Sequence, residues 1–304
     1  MPVSARTVKF LSAAVMILQF FYASASDGRD SLQSALRRDV EFLSDSLCEG
    51  RKTGSAGASE AAFYIIRRLN GMGYSCSLQT FRTASDAIGR NIVAVSGTLA
   101  PELGSGKAVL GRPAVLLMAY YDGLGSIGDK FYPCADANAS GVAALLSVAE
   151  RLKGRGDVII AFVDAHNANL AGAEALAASL SRQPLKLVAN FDILGSTLAP
   201  PDKYWKDYLI ILGGERYSRA FTNLNYGIDL HLYYDYYGSR GFTDLFYRKV
   251  SDHKVFLGRG VPVLMFTSGI TMSTNRESDT FNSLDYTVMA GRVELIGKWL
   301  EGFR

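Results

Sequence analysis

The sequence predicts one α/β domain: a mostly parallel, mixed sheet covered by helices on both faces. Near-continuous apolar runs of strand length recur at 114–121, 158–163, 187–194, 208–212 and 261–266. Strands that are apolar on both sides belong to sheets buried on both faces. Segments with apolar residues at helical spacing separate several of these runs, the alternation that gives parallel sheets with helical crossovers. The 304 residues are 48% hydrophobic and 20% charged, which excludes a disordered or fibrous chain. An α/β chain of this length often forms a single unit, and about 280 residues bury roughly three quarters of their unfolded surface.

In chain order, Arg6 and Lys9 precede an apolar run from Phe10 to Phe21, and Ala23-Ser24-Ala25 supplies a small-x-small cleavage pattern. Residues 1–25 are therefore expected to be a signal peptide and 26–304 the domain, in an exported protein found in the periplasm or medium. The run is shorter than the roughly 20 residues needed to span a bilayer, and no later segment is a membrane-span candidate. Export permits disulfides. Cys48, Cys76 and Cys134 allow at most one, and the sequence does not say which pair, if any, forms.

Leu32, Leu36, Val40, Leu43 and Leu47 give an amphipathic first helix, and a glycine-rich turn at 51–57 leads to a second over 59–70, ended by Gly71 and Gly73. Alternation at 76–81 and the run 92–95 predict two strands, and 98–113, rich in Gly and Pro, a surface connection. Helices are expected at 140–152 and 170–180. A last one, over 285–303, buries Val288, Met289, Val293, Ile296, Trp299 and Leu300.

Lys and Arg number 32 against 29 Asp and Glu; without Arg6 and Lys9 the balance is 30 against 29. A near-neutral chain gives no electrostatic reason to expect nucleic acid or an anionic membrane surface. The expected partner is a peptide or small ligand in a cleft, with no oligomeric state implied.

Ligands of open α/β sheets bind beyond the carboxyl ends of the strands. Those ends read Tyr120-Tyr121-Asp122, Asp164-Ala165-His166-Asn167 and Asn190-Phe191-Asp192, and the loop 133–141 adds Asp136 before a helix. Such acids either converge on a metal or hydrolase site or cap loops and helices. Gly123 to Gly128 matches the dinucleotide fingerprint, but no helix starts within it to meet a pyrophosphate. No G-x-S-x-G elbow is present, which weakens a serine-hydrolase reading.

Leu43-Ser44-Asp45 with Glu49-Gly50-Arg51 and Thr53-Gly54-Ser55, the stretch from Tyr132 to Gly141, Asn190 to Gly195, Ser251-Asp252-His253, Gly260 to Gly269 and Ser278-Asp279-Thr280 occur in a telling order. Together they resemble the exported zinc aminopeptidases, the family that includes the glutaminyl cyclases, over nearly the whole chain after residue 25. The resemblance implies an α/β/α sandwich and two zinc ions held by two His, two Asp and one Glu, with a second Glu as general base. Asp136 and Asp192 stand at retained ligand positions. Tyr120, Asn167 and Asn275 stand where the family has His, Glu and His, and His166 replaces the general base.

Asp122, which orients a ligating His in active relatives, is expected to be a remnant without a client. Zinc is not expected, and the oxygen-only remainder suits Ca²⁺ or Mg²⁺ weakly. The implied protein is a pseudo-peptidase acting by binding; the alternative is a hydrolase with a rebuilt metal or acid-base centre. In that alternative His166 works beside Asp164 or Asp192; otherwise it is a hydrogen-bonded filler of vacated space. His253 is expected to be structural and His231 to lack partners. The aromatic run 232–237 is either wall packing or a sugar- or peptide-contacting rim.

Overall fold

The structure is a computed structural model that describes residues 28–304 except 237. The leader reading of residues 1–25, and Tyr237 of the aromatic run, lie outside the described residues. Among them, no helix is long and apolar enough to cross a membrane.

Helix α1 covers 28–44, followed by a 3₁₀ segment Ser46–Arg51 and by α2, Ala56–Gly71. Strands β1 (Tyr74–Arg82) and β2 (Ile88–Ser96) form an antiparallel pair. Then come α3 (Ala100–Gly104), β3 (Ala114–Tyr120), the hairpin of β4 (Gly125–Ile127) and β5 (Lys130–Tyr132), and α4 (Gly141–Leu152). After these follow β6 (Val158–Val163), α5 (Ala171–Ser179), β7 (Leu185–Phe191), β8 (Tyr208–Leu212), α6 (Ser218–Leu224) and β9 (His231–Tyr233). The chain closes with α7 (Arg240–Leu245), α8 (Lys254–Leu257), β10 (Val263–Thr267) and α9 (Tyr286–Gly302).

The strands assemble as an eight-stranded sheet in the order β1-β2-β6-β3-β7-β10-β8-β9. The central four, β6-β3-β7-β10, are parallel; β1, β2 and β8 join antiparallel to their inner neighbours, and β9 pairs parallel to β8. Alternate residues of each central strand enter opposite cores. Val115, Leu117 and Ala119 pack with α1, α2, α4 and α9, while Leu116, Met118 and Tyr120 pack with α3, α5 and α8. This period of two sends one apolar strand to two cores and explains why the central runs are apolar without interruption.

Two buried guanidiniums tie loops to this frame. Arg51 donates to the carbonyls of Tyr121 (2.8 Å), Pro133 (3.1 Å), Cys134 (2.7 Å) and Leu43. Arg292 donates to Tyr208 (2.6 Å), Leu194 and Ser196 (both 2.9 Å). Each satisfies carbonyls that a loop would otherwise bury without a donor.

Two expectations need correction. Segment 98–113 is not wholly surface: α3 lies in it with Ala100 and Leu103 in the core, because Pro101 sits in the first turn, where a missing N–H is harmless. Leu47 does not extend the first helix; it is exposed in the 3₁₀ segment that begins once Asp45 caps Leu47 N–H. Residues 123–128 run into the β4–β5 hairpin, consistent with rejecting a dinucleotide loop. All three cysteines are free thiols.

Candidate functional site

Because β6, β3, β7 and β10 are parallel and adjacent, their carboxyl ends meet at one edge. That edge carries Tyr120 from β3, His166 and Asn167 after β6, Asp192 after β7 and Thr267 at the end of β10. These side chains, with Asn275 from the loop after β10, line a cavity of about 110 Å³. Ile193, Tyr236, Phe246, Val250 and Met265 form its apolar walls. Tyr236 is fixed there: its hydroxyl accepts from Ile270 N–H at 2.7 Å and its ring stacks on Phe246 at 4.6 Å.

His166 is the centre of the polar part. Its ring stacks on Tyr120 with centroids 3.9 Å apart and planes 13° apart. Its Nδ1 lies 2.6 Å from Oδ2 of the fully buried Asp252. Burial acts to lower the His166 pKa, but Asp252, backed by Asp192 and Asp122, outweighs it and raises the value to about 9. The ring is therefore an imidazolium at neutral pH. Sequence reasoning offered Asp164 or Asp192 as its companion, and the structure gives Asp252. Asp164 instead accepts from Thr53 Oγ1 (2.8 Å) and Arg90 N–H (2.9 Å). Asp252 was in view within Ser251-Asp252-His253; only the chain path from β7 to α8 shows that it points at position 166.

Asp122 is not left without a client. Its Oδ1 accepts His166 N–H at 2.9 Å, and its Oδ2 accepts both the backbone and side-chain N–H of Asn167 at 3.1 Å. It holds the turn after β6. Burial raises its pKa to about 6, against the opposing pull of His166. The Asn167 amide is thus engaged by Asp122.

Asp192 is buried, which raises its pKa, while His166 and the Ser251 hydroxyl that donates to its Oδ2 oppose the rise. Ser251 in turn accepts from Asn190 Nδ2 at 3.0 Å. Asn190 also donates to His253 Nδ1 (3.2 Å), whose Nε2 donates to the Tyr247 carbonyl (2.6 Å). Burial drives the His253 pKa down to about 4, so this histidine is neutral and structural, as expected. Asp136 accepts Gly195 N–H at 2.8 Å through Oδ1, while its buried Oδ2 has no hydrogen-bond partner. Burial, then the Asp279 charge, raise its pKa to about 7. Asp279 itself accepts Asp136 N–H (2.7 Å) and Ala137 N–H (3.1 Å).

Asn138, in the loop before α4, caps the start of that helix. Its Oδ1 accepts Gly141 N–H (3.1 Å) and Ile193 N–H (2.9 Å), and its Nδ2 bonds the carbonyls of Tyr120 and Phe191. The Tyr120 phenol has its pKa raised well above 10 by burial and by nearby Asp192, so it stays protonated. His231 has a partner after all, a Trp205 ring stacked at 4.1 Å. Of the aromatic run, Tyr233 meets the Tyr208 edge and Tyr236 forms the cavity wall.

Zinc requires at least three strong donors from the protein at a catalytic site and about four at a structural one. Here Tyr120 is a neutral phenol and the Asn167 amide is held by Asp122. Among the described residues no three His, Cys, Asp or Glu side chains converge as a metal-ligand group. The residues present do not fit the zinc pair of the resemblance.

The profile of peptidase family M28 matches residues 101–299. No curated protein sequence matches the chain. Among solved structures, a glutaminyl cyclase of Fimbriiglobus ruber is similar at 15% identity, with a TM-score of 0.69 over 90% of this chain and 95% of that one. BSAP, a zinc aminopeptidase from Bacillus subtilis, is similar at 12% identity and a TM-score of 0.66, over 90% and 96%. A glutaminyl cyclase of Porphyromonas gingivalis is similar at 18% identity and 0.61, over 90% and 97%. At such identities the structural likeness establishes the fold.

Proposed function

The chain belongs to peptidase family M28, and from that premise we propose that it is an exported member without a zinc centre, acting by binding a peptide or small ligand in the cleft. The observation that carries this reading is the state of the ligand positions. Tyr120 is a protonated phenol stacked on His166, and Asn167 donates its amide to Asp122. Position 166, where relatives keep the general base, holds a cation paired to Asp252. A cation beside Asp192 disfavours a second positive charge there. What remains is a small, aromatic-walled cavity with a few polar groups, the make-up of a binding pocket.

The test is metal analysis of the purified protein together with assays on aminoacyl-anilides and on a peptide with N-terminal Gln. The expected result is sub-stoichiometric zinc and no turnover. Two zinc ions per chain, or turnover abolished by a chelator, refutes the reading. The combined variant Tyr120→His, His166→Glu, Asn167→Glu and Asn275→His should gain zinc, since it restores three ligands and the base.

The His166–Asp252 contact favours a second reading, a metal-free acid-base centre in which the Asp-held imidazole serves the cavity. It expects turnover that resists chelators and disappears in His166→Ala.

A further inference from the structure

The cavity of about 110 Å³ is far smaller than the roughly 300–1,000 Å³ that encloses a whole ligand of drug size. It takes one side chain or end group, and the rest of any ligand must cross its rim. Val250 belongs to its apolar wall, and the residues just before it, Arg248 and Lys249, line a different and much wider depression. That depression measures about 680 Å³ and is completed by Lys254, Val255, Gly258, Arg259 and Glu174. Four of its side chains are cations and one is an acid. Arg248 is paired with Asp244 (3.0 Å) and Arg259 lies 3.8 Å from Glu174. Among the described residues Lys249 and Lys254 enter no ion pair; Lys254 donates to the Lys249 carbonyl at 3.3 Å, which holds its ammonium at this site. In a chain of nearly balanced charge, two cations without an ion-pair partner in one open depression form a local positive field.

We propose that this depression, which the chain segment 248–250 sets beside the cleft, is an anion-binding subsite, and that the ligand is an acidic peptide: its terminal residue enters the cavity and its following carboxylates meet Lys249, Lys254 and Arg259. The proposal rests on the binding reading above.

The experiment uses the full exported chain and three fluorescent peptides that begin Leu-Gly and continue with four Glu, four Gln or four Lys. The Glu peptide is expected to bind best and to lose affinity between 0.1 and 1 M NaCl, as the Debye length falls from about 10 to about 3 Å. Lys249→Glu with Lys254→Glu, both at exposed or rim positions, is expected to weaken it about tenfold or more. Equal, salt-independent binding of Glu and Gln peptides overturns the proposal while leaving the cleft reading standing. Binding of the Glu peptide that needs Lys249 and Lys254 but is unchanged by Phe246→Ala and His166→Ala overturns the proposal that its terminal residue enters the cavity, together with the cleft reading. Stronger, lysine-dependent capture by phosphatidylglycerol vesicles, with no preference among the peptides, overturns the proposal in favour of a lipid surface.

Discussion

Replacing Asp136 by Asn should make this protein more stable at alkaline pH, although the position is a metal ligand in active relatives. The Asp136 carboxylate is buried, one oxygen lacks a partner, and Asp279 stands close by. Its pKa rises from 3.8 to about 7. Below pH 4 both folded and unfolded chains carry the proton, and the group makes no difference. Between about 4 and 7 the unfolded chain releases it while the folded one keeps it, so stability falls as pH rises. Above 7 the full cost is present. A shift of about 3 units corresponds to roughly 4 kcal/mol, an upper figure because the variant must bury an amide N–H instead. Asn can still accept Gly195 N–H, and it removes the repulsion felt by Asp279. Urea unfolding of both proteins at pH 4, 6 and 8, with chelator, gives the difference directly; groups titrating alike in both cancel. The variant is expected to gain nothing at pH 4 and up to a few kcal/mol at pH 8. A variant weaker than the parent at pH 8 without chelator, but not with it, would show a bound cation neutralising Asp136, and the metal-free argument would fall.

His166 behaves with the opposite sign. Raised from 6.5 to about 9, it contributes stability that is complete below pH 6.5 and lost as pH climbs to 9, roughly 3 kcal/mol in all. Asp252→Asn should remove that dependence and move the His166 proton NMR titration back toward 6.5; an unmoved midpoint refutes the pairing. Arg51→Met strands four carbonyl acceptors, and chemical unfolding should register a loss above about 3 kcal/mol. Intact-mass measurement of the exported protein should place the mature N-terminus near Ser26, and retention of residues 1–25 would refute the leader reading.

The sequence by itself determined the long central strands, the larger helices and the edge of the sheet where a site must lie, while short elements such as α3, β9 and α8 were not legible in it. Uninterrupted apolar runs at 114–120 and 158–163 are of strand length and alternate with helical segments, which marks them as strands buried on both faces, and polar residues just after them gather where parallel strands end. Motif order also carried the family, and the match of peptidase family M28 to residues 101–299 bears it out. The pairings were decided by tertiary structure. Nothing in the local pattern says that Asp252, 86 residues away, rather than the nearer Asp164, faces His166. The parallel crossover from β7 to the turn before α8 sets that contact. Asp122 likewise reads as orphaned until the turn after β6 delivers two backbone N–H groups and the Asn167 amide to it. The positive wall beside the cleft is invisible to a charge count of 32 against 29, since a sum over the chain carries no information about where folding places each charge. Periodicity records burial along one element; contacts between elements depend on how the sheet orders its strands, and that order is settled only when the whole core packs.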